Sequence, residues 1–270
     1  MVQTRILKKF LIGVSQMSKD KQSSNNPKVW LSSRKVDTRL PVHKALIVCN
    51  AKCTEVNYFK GAVKFLNGLN SSRTSIRQDV LKVRYHKSGV SPLQLVEEIK
   101  RKNKTKKSSI NIDDYDTVWI VFDRDDNDDN QFEQAISKAE KLSNRNTKVF
   151  ALYSIQSFEL WLLLHFDYYN VATNRNYYFD KLKQKLGQAY NKTDNNIFDN
   201  LLQCACNSKQ LEYTQDNIRD IISMAIANAQ RLQQQYSPKI QQPLSSCDPI
   251  TTVFKFFEYY FEELELIESV

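Results

Sequence analysis

Twelve residues, Val118–Asp129 (VWIVFDRDDNDD), set an apolar run directly before five aspartates. Asp123 and Asp125 are separated by one residue. In extended backbone alternate side chains project to the same side. If the strand persists through the motif, the two carboxylates offer oxygen to one hard cation, Mg²⁺ or Mn²⁺. The loop after the carboxyl end of a strand is also where ligands gather in an open parallel sheet. Asp126, Asp128 and Asp129 add negative potential. An EF-hand calcium loop is a poor match, because counting Asp123 as position one leaves Asp128 where Gly is needed and Gln134 where the bidentate Glu belongs. A solvated acidic turn ahead of a helix, favoured by the helix dipole, also accounts for these acids and stays open as a competing reading.

The elements that would position the motif follow from periodicity. Ala45–Cys49 (ALIVC) is a short apolar run of strand type, and Thr54–Leu69 repeats apolar residues at helical spacing with Thr54 as N-cap. Val80–Tyr85 alternates as a strand does. A helix then opens at Ser91 and Pro92, a cap followed by a proline at the first helical position. Thr117–Phe122 (TVWIVF) is continuous apolar sequence, as expected of a strand covered on both faces. A helix near Asn130–Leu142 and a strand at Lys148–Leu152 follow. Strands alternating with helices predict an α/β fold with a mostly parallel sheet flanked by helices. Beyond Ser154 the pattern is helical: 157–166, 177–187, 195–206, 216–236 and 251–264. The expected organisation is a basic arm over 1–40, an α/β core over 41–155 and a mainly helical region over 156–270 packed on that core.

Charge is divided along the chain. The 39 Lys and Arg outnumber the 30 Asp and Glu, for a net charge of +9. Residues 1–110 hold 24 of the basic residues against 6 acids, and residues 111–270 hold 15 against 24. A basic half beside an acidic cluster suits a protein that attracts a polyanion and holds a divalent metal. A solvated basic surface with a basic tail explains the same numbers. The tract RKNKTKK carries Arg101, Lys102, Lys104, Lys106 and Lys107, which with Lys52 would suit salt-dependent phosphate contacts, though an exposed polar loop explains the tract equally well. Five cysteines, an odd number without scaffold spacing, fit a reducing cytoplasm. Neither Cys49 with Cys53 nor Cys204 with Cys206 has C-x₂-C spacing, and no His-x₃₋₅-His accompanies them. No export signal is read at the start, and no apolar run reaches the ~20 residues of a membrane helix. No P-loop, dinucleotide-binding or nucleophile-elbow motif is present.

In order along the chain, ALIVCNAKCTEVNYF, GVSPLQLVEEI, VWIVFDRDD, SIQSFELWLLLHF and DPITTVFKFF resemble the RloB family, whose members carry a Toprim-type core and occur in bacterial defence loci. The resemblance runs from about Lys44 to the C-terminus. It implies a metal-dependent nuclease, cleaving RNA or DNA as an effector of anti-phage defence, with Mg²⁺ or Mn²⁺ as cofactor. Asp123 and Asp125 match the Asp-x-Asp element of such a centre and are expected to bind the metal. Glu55 matches a second acid in the first stretch, expected as a metal ligand and catalytic group. Glu159 matches the acid of the FElW element, expected as a site acid, although an acid at a helix start is also favoured by the dipole alone. His165 and Trp161 of the same element read as structural and core residues.

The chain departs from the family at Asn50–Ala51, where a Glu–Gly pair is expected. Asn offers a carbonyl oxygen to a metal but takes no proton at neutral pH, and loss of a general base costs about 10²–10⁴-fold in rate. The alternative is therefore a catalytically impaired nucleic-acid-binding or regulatory subunit of a defence complex. The implied partners are a nucleic acid, an ATPase encoded nearby and a second copy of the chain in a homo-oligomer, with no membrane.

Overall fold

In the computed structural model the described residues are 43–50, 53–69, 82–85, 90–104, 111–125, 127–236, 244 and 247–268. The expected basic arm over 1–40 lies outside them, as do Lys52, Lys106 and Lys107. Four strands form one sheet: β1 (Ala45–Cys49), β2 (Lys82–Tyr85), β3 (Thr117–Asp123) and β4 (Lys148–Ser154). Their order is β2-β1-β3-β4 and every pairing is parallel. Between the strands run α1 (Thr54–Leu69), α2 (Pro92–Lys104) and α3 (Asp129–Glu140). The fold class is thus α/β with a parallel sheet, and its C-terminal part is helical.

The continuous apolar character of β1 and β3 has a direct cause, since both faces of the sheet are covered. Ala45, Ile47, Cys49, Trp119 and Val121 enter one apolar cluster, whereas Leu46, Val48, Val118, Ile120 and Phe122 enter the other. The second cluster is closed by Leu95, Val96 and Ile99 of α2 and by Phe132, Ala135 and Ala139 of α3. The first is closed by α1 and by the helical half: α4 (Glu159–Leu164), α5 (Arg175–Leu186), α6 (Ile197–Ser208), α7 (Gln215–Tyr236) and α8 (Phe254–Glu268). Residues 41–155 and 156–270 therefore share one core.

Local chemistry sets the helix ends. Ser91 and Gln94 form a reciprocal capping box, with Ser91 N donating to Gln94 Oε1 at 2.9 Å and Gln94 N to Ser91 Oγ at 3.2 Å. Asp128 caps α3 by accepting from Gln131 N at 3.0 Å. Gly187 ends α5 at φ 67°, a left-handed conformation that glycine adopts without a steric penalty. Gly61 serves close approach instead: a Cβ there would stand 2.3 Å from Cβ of Phe198, so α6 can lie on α1 only while residue 61 has no side chain. The sequence reading places the cap of α1 at Thr54, but Thr54 is already helical. Its hydroxyl lies 3.1 Å from that of Tyr190.

After α7 the chain returns to the sheet. Thr251 forms an antiparallel bridge to Ser154, and Ile155 N and Thr252 N donate to the carbonyls of Ile250 and Tyr153, each at 2.8 Å. The expected strand Lys148–Leu152 runs on to Ser154 because Tyr153 and Ser154 continue the ladder with Phe122 and Asp123 of β3, and the return segment lies against its end. That segment also delivers α8 to β3, where Tyr260 Oη accepts from Trp119 Nε1 at 3.3 Å and Trp119 stacks on Phe150 with centroids 4.3 Å apart.

Candidate acidic centre at the sheet switch point

The chain runs from β1 outward to β2, then returns to β3 on the other side of β1. The gap between the carboxyl ends of β1 and β3 is therefore the topological switch point, where such sheets bind ligands. Asn50 follows β1 and Asp123 ends β3. The two ends are joined by the hydrogen bond from Asn50 N to Val121 O at 2.9 Å.

Asp123 shares the alternation of Trp119 and Val121, and so projects toward α1 and the helical half. Its Oδ2 accepts from the backbone N–H of Phe158 at 2.9 Å. Its Oδ1 is shut off from solvent and has no hydrogen-bond partner among the described residues. Asn50 shows the same pattern, since its Nδ2 donates to Val90 O at 3.2 Å while its buried Oδ1 has no partner among the described residues. A buried polar group left unmet costs about 1–3 kcal/mol, so two such acceptors at one switch point invite a cation or a donor.

Two glutamates join them. Glu55, in the first turn of α1, is 8 % exposed, and Glu159, the first residue of α4, is 3 % exposed. Burial holds the Asp123 carboxyl well above the usual range, and the nearby charges of Glu55, Glu159 and Asp125 push it further. Burial likewise lifts Glu55 to about 7, with Glu159 and Asp125 adding to the rise and Lys192 opposing it. Asp123, Glu55 and Glu159 thus repel one another within a poorly solvated space, with Asp125 at its open edge, a state relieved by a proton or by a cation.

Asp125 arrives by a route that alternation does not describe. β3 ends at Asp123, and Asp125 lies in a left-handed turn at φ 47°. The extended geometry that would align its carboxylate with that of Asp123 does not persist. The turn instead carries Asp125 Oδ1 to within 3.1 Å of Arg175. Among the flanking acids, Asp128 caps α3 and Asp129 pairs with Arg124, while Asp126 lies outside the described residues.

A loop of the helical half closes over the glutamates. Tyr190 Oη donates to Glu159 Oε1 at 2.8 Å, and Lys192 Nζ stands 3.7 Å from the same oxygen. Burial and the neighbouring Glu159 keep the Tyr190 phenol far above its ordinary pKa, so it acts as a donor. Tyr190, Lys192 and Arg175 carry no signal in the sequence reading, because they lie in polar stretches without periodicity or motif. His165 is structural: Nδ1 donates to Trp161 O at 2.9 Å, which leaves Nε2 to accept from Tyr58 Oη at 3.1 Å. Burial lowers its pKa to about 4. Trp161 is fully buried. Of the basic tract, Arg101 is exposed and pairs with Glu98 on its own helix at 4.0 Å, while Lys102 and Lys104 continue α2.

The donor chemistry suits a hard cation. Among the described residues no three His, Cys, Asp or Glu side chains are grouped to hold one ion. Magnesium, however, is usually held through one or two carboxylates while keeping several waters. Asp123 Oδ1 and Asn50 Oδ1 are the unmet oxygens able to contribute, with Glu55 beside them.

Fold and site together define a parallel α/β protein with buried, mutually repelling acids at its switch point. The chain belongs to the RloB family: the family model for RloB-like proteins matches residues 45–259, which include every strand and all four acids. No curated protein and no solved structure matches the chain. No helix among the described residues is long and apolar enough to cross a membrane.

Proposed function

We propose that the acid cluster is the Mg²⁺- or Mn²⁺-dependent centre of a Toprim-like nuclease that cleaves phosphodiester bonds of RNA or DNA as an effector of bacterial anti-phage defence, alongside an ATPase partner. The observation that carries this reading is the unpartnered, buried Oδ1 of Asp123 among three further acids at the switch point. A bound ion would offset charge on the scissile phosphate and orient the attacking water or hydroxyl. Asp123 would hold it, its carboxylate oriented by the N–H of Phe158. Asn50 would add a neutral oxygen. Glu55, with a pKa near 7, is suited to take and return a proton at physiological pH. Glu159 is kept in one orientation by Tyr190.

A second reading follows from Asn50 itself. With an amide where the family has Glu, the centre would bind nucleic acid without turning it over, as a regulatory subunit. Cleavage of tRNA, single-stranded RNA and plasmid DNA with Mg²⁺ or Mn²⁺ separates the two, comparing the wild type with the Asp123→Ala/Asp125→Ala variant. Metal-dependent cleavage that the double substitution abolishes supports the nuclease. Binding without metal-dependent cleavage, alike in both proteins, would replace it with the subunit reading.

A further inference from the structure

Four acids at one mouth repel a polyanion, so a phosphodiester that reaches them must be met there by cations. Among the described residues two cations stand on the acids themselves, and both come from the helical half. Lys192 Nζ lies 3.7 Å from Glu159 Oε1 and 4.2 Å over the ring of Phe179. Its side chain is 50 % exposed while that of Glu159 is 4 % exposed, so Lys192 bridges the buried acid and open solvent. At 3.7 Å the contact is an ion pair rather than a hydrogen bond, and an ammonium has three N–H groups able to turn to another oxygen.

The loop that carries Lys192 is pinned on both sides. Tyr190 bonds to Glu159 and Thr54 and stacks on Phe179. The Thr193 carbonyl accepts from Asn57 Nδ2 at 3.5 Å, and the Lys192 carbonyl lies 3.4 Å from Thr54 Oγ1, whose proton goes to Tyr190 Oη. Such anchoring reduces the entropy lost when the lysine engages a ligand. Arg175, the first residue of α5, reaches Asp125 Oδ1 at 3.1 Å with its side chain 38 % exposed. Its planar guanidinium matches the spacing of phosphate oxygens.

We propose that Lys192 and Arg175 grip the phosphate backbone of a bound nucleic acid across the mouth of the acid cluster. This assignment rests on the acid cluster being a phosphodiester-cleaving site, and it moves the decisive contacts away from the tract that begins at Arg101. Arg101 itself is a solvated residue, 71 % exposed and paired only loosely with Glu98.

The test is fluorescence anisotropy of a labelled single-stranded RNA, and of its DNA counterpart, against the full chain over a salt series with divalent metals chelated. Metal-dependent cleavage by the same preparations is measured in parallel. Lys192→Gln and Arg175→Gln should each weaken binding by about 5–10-fold and reduce the salt slope by roughly one, whereas Arg101→Gln should change neither. Lys192→Arg and Arg175→Lys, which keep the charge, should keep the slope. If either glutamine variant fails to fold by circular dichroism, Lys192→Met or Arg175→Met takes its place: a slope reduced by roughly one supports the assignment and an unchanged slope overturns it. Wild-type cleavage with unchanged binding in both glutamine variants overturns the assignment and leaves the nuclease standing. A wild type that neither binds nor cleaves overturns both.

Discussion

The hydroxyl of Tyr190, in the loop between α5 and α6, donates to Oε1 of Glu159, the first residue of α4, at 2.8 Å. This bond fixes the α5–α6 loop to α4 within the helical half, beside the acids at the sheet's carboxyl edge. Tyr190→Phe removes the donor and leaves a buried carboxylate oxygen short of a partner. A stability loss of about 1–3 kcal/mol is expected in urea denaturation, with the midpoint lowered and the slope unchanged. An unchanged midpoint would mean that the loop contributes nothing to holding Glu159.

Glu55 should make the metal-free protein less stable as pH rises. Its folded-state pKa is about 7 against an ordinary 4.5, so between those values the folded state binds the extra proton. Its contribution is fully present below about pH 4.5 and is lost as pH rises through 7. Glu55→Gln should therefore match the wild type near pH 4.5 and exceed it at pH 8, by on the order of 3 kcal/mol at most. Chemical denaturation of both proteins across that range gives the difference directly.

His165 works in the opposite direction. Its folded pKa is near 4 against an ordinary 6.5, so its neutral buried form stabilises the fold above pH 6.5, and that stability is lost as pH falls toward 4. A His165→Gln variant should be less stable than the wild type at pH 8, and the gap should narrow steadily down to pH 4. Because Glu55 and His165 oppose each other between pH 4.5 and 6.5, each is read as variant minus wild type.

Asn50→Glu adds a fifth acid to the switch point and forfeits the bond from Asn50 Nδ2 to Val90 O. Without metal it should lower the thermal midpoint. With Mg²⁺ or Mn²⁺ its midpoint should rise more than that of the wild type, since a ligand that binds only the folded state stabilises it by mass action. If the centre is otherwise intact, cleavage should rise by about 10²–10⁴-fold. An equal response of both proteins to metal would place the ion elsewhere.

Gly61→Ala tests the packing beneath the site. With Phe198 Cβ only 2.3 Å from the new methyl, α1 and α6 must separate. A destabilisation of about 1–3 kcal/mol is expected. Because α1 carries Glu55, the same variant should also reduce any metal-induced rise in the thermal midpoint.

Much of this architecture was written in local sequence. Ala45–Cys49, Thr54–Leu69 and the strand from Thr117 stand where their apolar periodicity puts them, because burial on one or both faces dictates period and length together. The capping box at Ser91 and Gln94 and the stop at Gly187 are equally local, resting on hydrogen bonds or φ values within a few residues. Local periodicity missed the left-handed turn at Asp125 and the return of Ile250–Thr252 to β4, since neither has a repeating pattern.

The sequence by itself determined that an acidic motif would follow a buried strand of an α/β fold, and that Asn50 would follow the first strand. Tertiary structure alone decided which groups share that space. Asn50 and Asp123 become neighbours only because β1 and β3 pair, and Glu55, Glu159, Tyr190, Lys192 and Arg175 meet them only once α1 and the helical half close over the sheet. The raised pKa values of Asp123 and Glu55 are likewise properties of that closure, for desolvation and mutual repulsion arise only when separate segments exclude water from the same volume.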